Sequence, residues 1–106
     1  MPRARLAALV TALVAAPAIS LGGQTTIEVG HNRLEPAAVS IAAGDTVVFH
    51  NQDEMPGGHT VVSDDVKLSS PPLAKDQSWS QVFAEPGTYR FHIKQHPGAK
   101  ATVTVK

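Results

Sequence analysis

Apolar residues recur at every second position along most of the chain. In "TTIEVG" (25–30) Ile27 and Val29 share one side, and in "TVVFHN" (46–51) Val47, Phe49 and Asn51 alternate with Val48 and His50. The same period runs through "AVSIAAGD" (38–45), where Val39 and Ile41 align, and through "HTVVS" (59–63), "SWSQVF" (78–83), "TYRFHIK" (88–94) and "ATVTVK" (101–106). Side chains alternate across a strand, so a period of two in β-branched and aromatic residues predicts half-buried strands. Gly, Pro, Asn and Asp between the runs supply turns. Residues 64–77 are polar and carry the pair Pro71-Pro72, which suits a surface connection. No run holds a helical period over three turns. Short strands at this spacing point to an antiparallel sandwich or barrel.

The first twenty residues break the pattern. Arg3 and Arg5 are followed by an apolar run from Leu6 to Ala16 and by small residues around Pro17 to Ser20. That order is expected of a secretory signal peptide over residues 1–20, cleaved after Ala18 or Ser20, which leaves a domain over 24–106. The apolar run is short for a membrane span. Seven basic and nine acidic residues remain beyond it, a net charge of −2 with no basic patch for nucleic acid. The sequence has no cysteine, so disulfides, thiolate nucleophiles and iron–sulfur clusters are excluded. It also has no G-x-S-x-G turn, glycine-rich phosphate loop or H-E-x-x-H pair, and an enzyme is not expected.

The chemistry on offer is imidazole. Five histidines occur at positions 31, 50, 59, 92 and 96. His92 alternates with Phe91 and Ile93, so it belongs to the outer face of its strand, and only a one-residue bulge would turn it inward. His50 alternates away from Phe49 in the same way, and His31 sits in the loop "GHNR". His59 and His96 are both flanked by turn residues. Two loop histidines converging at one end of a sandwich would hold a soft or borderline metal, whereas without a metal they would hydrogen-bond to backbone or water. Met55 could add a thioether suited to Cu(I).

Three segments resemble the cupredoxin family. "LEPAAVSIAAGDTVVFHNQD" (34–53) is similar to its opening half, "MPGGHTV" (55–61) to the segment that supplies its first histidine ligand, and "FAEPGTYRFHIKQHPGAKATVTV" (83–105) to its last third. The resemblance implies a small Greek-key β-sandwich. It places the two histidine ligands of the family at His59 and His96, and a role for Asn51 in stiffening the ligand loops through hydrogen bonds. It also puts Ile93 at the position of the cysteine ligand and Ala99 at that of the axial methionine. A blue-copper centre depends on thiolate coordination, which an isoleucine cannot provide.

The expected protein is therefore an exported cupredoxin-like copper binder, periplasmic or secreted. Copper as Cu(I) or Cu(II) is captured and delivered through His59 and His96, with His92 and Met55 as further candidate ligands and zinc as a competing ion. It is expected to act as a monomer, detached from the membrane after signal cleavage and facing a periplasmic redox or copper-handling protein. Two alternatives accompany this reading: a copper-free β-sandwich that binds a partner protein, and an electron carrier with an unusual ligand set.

Overall fold

A computed structural model describes residues 23–106, and the expected signal peptide lies outside these residues. Eight strands follow in chain order: β1 (Gln24–Val29), β2 (Leu34–Glu35), β3 (Ala38–Ile41), β4 (Asp45–Asn51), β5 (Val61–Ser63), β6 (Ser78–Phe83), β7 (Gly87–Ile93) and β8 (His96–Val105). They form two four-stranded sheets, β2-β1-β4-β6 and β3-β8-β7-β5.

The period of two is realised as expected. Ile27, Val29, Val47, Phe49, Phe91, Ile93 and Val103 are fully buried between the sheets, with Leu34, Ile41, Phe83, Ala101 and Val105 nearly so. Phe49 on the first sheet lies 5.2 Å from Phe91 on the second, centroid to centroid, and 5.4 Å from the half-buried Trp79. The first contact joins the two inner faces, as aligned sheets require, and the second lies within one sheet, between the adjacent strands β4 and β6.

Two pairings run parallel, β1 with β4 and β3 with β8, so neither sheet is wholly antiparallel. A parallel pair needs a long crossover, and here the chain passes to the other sheet between the partners. The β1–β4 pairing fixes a register with consequences for the site. Val29 lies opposite Asn51, so both strands leave the sheet side by side at the same end.

Candidate metal centre

His59 is held by backbone on one side and by a carboxylate on the other. Its N–H donates to the Leu73 carbonyl at 3.0 Å, and the Leu73 N–H donates back at 2.8 Å, forming an isolated bridge just before β5. The turn leading into it needs glycine at position 58. That residue has φ +74°, and a Cβ there would lie 2.6 Å from the Leu73 oxygen. The imidazole is wholly buried. Its Nε2 donates to Asp53 Oδ2 at 3.0 Å, and its Nδ1 has no hydrogen-bond partner among the described residues.

His96 arrives from the β7–β8 hairpin. Pro97-Gly98 reads as the turn in the sequence, yet the chain turns at Lys94-Gln95, and the register jumps from His92 opposite Lys100 to Ile93 opposite His96. The Pro97–Ala99 excess is thereby absorbed in β8. Gln95 fastens this hairpin to the His59 segment, its Oε1 accepting from Thr60 N at 2.9 Å and its Nε2 donating to Thr60 Oγ1 at 3.3 Å. The Lys94 N–H donates to the Thr60 carbonyl at 2.8 Å. The result is a 5.7 Å separation between the His59 and His96 ring centroids. Like His59 Nδ1, His96 Nε2 is buried without a partner among the described residues.

A third imidazole stands at the same end. His31 lies two residues past Val29 and Asp53 two residues past Asn51, so the parallel register sets them beside each other. Asp53 Oδ2 accepts from His31 Nδ1 at 3.2 Å as well as from His59. The His59 hydrogen bond is the chief reason that the Asp53 carboxyl is held below the ordinary carboxylate range, and the His31 bond adds to it against desolvation. His31, Asp53 and His59 offer ligand atoms within 4.8 Å of one another.

The remaining candidates fall elsewhere or play other parts. Asn51 is fully buried, donating from Nδ2 to the Leu73 oxygen at 2.7 Å and accepting at Oδ1 from Asp53 N at 3.0 Å, so it ties the His59 bridge to the Asp53 loop. His92 stays on the outer face of β7 because the register shift extends β8 and leaves the alternation of Phe91, His92 and Ile93 intact. Its Nδ1 bonds Asp64 Oδ1 at 2.6 Å. Met55 is half-buried at the start of the glycine turn, its carbonyl accepting from Gly58 N. His50 also faces outward, bonded to Glu28 at 2.7 Å. Ile93 is fully buried and Ala99 is 3% exposed, both in the core cluster. Nothing in the local sequence marks Asp53 or Gln95. Once β1 and β4 are paired in parallel, the offset of 22 residues that brings Val29 to Asn51 also brings His31 to Asp53.

The family profile described as "Cupredoxin-like domain" matches residues 4–105. The chain belongs to the cupredoxin-like family. Amicyanin of Paracoccus denitrificans is 31% identical over 87 residues, covering 79% of this chain and 66% of that protein. The chain thus spans just under two thirds of this relative's length. A purple cupredoxin from Nitrosopumilus maritimus superposes with a TM-score of 0.67 at 28% identity, over 77% of this chain and 99% of that one. An amicyanin variant in its Cu(I) form gives 0.70 at 29% identity, over 77% and 81%. The sequence contains no cysteine, so this family member has no thiolate to offer a metal.

Two buried nitrogens without partners test whether the residues present fit a metal ion. A buried polar atom left unsatisfied costs about 1–3 kcal/mol, and such atoms are rare in folded proteins. A cation between the rings would satisfy both. A metal ~2 Å from one nitrogen of each ring leaves the centroids on the order of 5–6 Å apart, matching the 5.7 Å observed. The donor set fits a borderline metal.

Proposed function

We propose that this cupredoxin is an exported copper-binding protein that captures and hands on the ion through His59 and His96, without a copper–thiolate centre. The observation that carries the reading is the pair of buried, unpartnered imidazole nitrogens, His59 Nδ1 and His96 Nε2, on rings 5.7 Å apart. Copper is favoured because imidazole suits it and because it heads the affinity order of the divalent first-row metals; zinc is the competitor. Bound copper would supply a Lewis-acidic centre with exchangeable positions, and the protein's part is to hold two imidazoles and exclude thiolate. Ile93 fills the sulfur position with hydrocarbon, which removes the covalent path that a blue-copper electron carrier uses. The reading is of a binding protein rather than an enzyme, and the basic, apolar start of the chain favours a periplasmic or secreted location.

The test is titration of the protein with Cu(II), and anaerobically with Cu(I), against a chelator of known affinity. One tight equivalent is expected without the intense visible band of copper–thiolate charge transfer. His59→Ala and His96→Ala should each weaken binding by at least about tenfold, or 1.4 kcal/mol. Wild-type affinity in both variants would remove the site assignment. No stoichiometric binding by the parent protein would favour a copper-free partner-binding module.

A further inference from the structure

We infer that His31 is a third imidazole ligand of this site and that Asp53 sets the tautomers that expose its donor atoms. The inference rests on the copper-site reading above. The ring centroids of His31, His59 and His96 form a triangle with sides of 4.7, 5.7 and 6.2 Å. The point equidistant from all three lies about 3.2 Å from each, and a metal bonded ~2 Å from an imidazole nitrogen stands about that far from the ring's centre. The rings meet at 50° to 81°, so none of the three pairs is stacked face to face, an arrangement that would aim no lone pair at a shared ion.

Proton bookkeeping supports the same assignment. Asp53 Oδ2 sits 3.0 Å from His59 Nε2 and 3.2 Å from His31 Nδ1, hydrogen-bond distances to nitrogens that carry protons. Those atoms are thereby occupied, and in the neutral rings the lone pairs fall on His59 Nδ1 and His31 Nε2. The first of these is independently the buried nitrogen without a partner. One carboxylate thus orients two histidines, the usual outer partner of a ligating imidazole. Asp53 is accordingly a positioning residue, standing behind the two rings. The His31 side chain is 65% exposed, so this ligand forms the open side of the site. An ion can enter or leave there while His59 stays fixed by Leu73 and Asp53.

Pulsed electron paramagnetic resonance of the Cu(II)-loaded protein counts bound imidazole nitrogens, and chelator competition gives affinity. Three imidazoles are expected in the parent and two in His31→Ala, with affinity lowered at least about tenfold and the thermal midpoint of the metal-free protein unchanged, since His31 lies in an exposed turn. Asp53→Asn should retain copper with about 10–100-fold weaker affinity. A His31→Ala protein that keeps the parent's imidazole count and affinity, while His59→Ala and His96→Ala lose copper, overturns the third ligand and leaves the two-histidine reading standing. A parent protein that binds no copper overturns both.

Discussion

Replacing Ile93 by cysteine asks whether the core position beside the two histidines is the one a thiolate needs. Ile93 is fully buried, pairs with Val61 across β5–β7, and lies opposite His96 at the start of β8. Ile93→Cys removes roughly two methylene equivalents from a packed site, at about 0.8 kcal/mol each, and leaves a small cavity. The metal-free variant should therefore lose ~1–3 kcal/mol, which lowers the melting temperature by roughly 5–20 °C in a domain of this size. Copper at a hundredfold excess over its dissociation constant returns about 2.7 kcal/mol. The variant would thus be weakened when empty and close to the parent when loaded. With no other cysteine in the sequence, no intramolecular disulfide can form. The assays are visible absorption after anaerobic loading and oxidation, and thermal melting with and without copper. An intense charge-transfer band that the parent lacks is expected. A variant that binds one copper and shows no such band would refute the reading of Ile93 as the position a thiolate ligand would take.

Three further outcomes follow from the surrounding bonds. Asn51→Ala removes two hydrogen bonds at a fully buried side chain, and the Leu73 oxygen and the Asp53 N–H lose a partner; urea unfolding should show a loss of about 2–4 kcal/mol, accompanied by weaker copper binding. Gly58→Ala places a methyl 2.6 Å from the Leu73 oxygen in a left-handed backbone, a cost of roughly 1–3 kcal/mol in strain alone, and should displace His59; unchanged stability and copper affinity would contradict the bridge geometry. The Glu28 hydrogen bond raises the His50 pKa above its ordinary value. Stability from that ion pair is then fully present below about pH 6.5 and is lost as pH rises through the higher folded value, so Glu28→Gln should lower the melting temperature in mild acid and match the parent in mild alkali. An equal gap between the two proteins at every pH would show that His50 titration contributes nothing.

The strands were legible because burial leaves its trace locally. Val47, Phe49 and Asn51 alternate with Val48 and His50 whatever the partner strand is, and the structure buries the first set. His59 and His96 were legible through the segments around them. The sequence favours a plain loop histidine at His31 over a ligand, since its meeting with Asp53 depends on which strands pair and in what register, and alternation carries no information about pairing. Gln95 was invisible for a related reason: its partner is Thr60, 35 residues away. Pro97-Gly98 carries the stronger local punctuation, yet the hairpin turns three residues earlier, because the bonds from Lys94 and Gln95 to Thr60 fix the turn in tertiary context.

Those tertiary bonds also bear on the proposed metal site. The His59 bridge to Leu73, the Asn51 links and the Gln95 clasp on Thr60 are all made by protein groups alone, so the rings are held in place before any ion arrives. Small metallo-domains whose ligands gather only in the holo state spend much of the binding free energy on folding. Here the core, with Phe49 and Phe91 in contact across the sheets, supplies the fold independently. At the proposed site binding would report the donor set directly, and two or three imidazoles without thiolate would release an ion more readily than a site closed by sulfur. Under the proposed reading, this sandwich end would exchange copper through the side where His31 is exposed rather than fix it in one closed coordination shell.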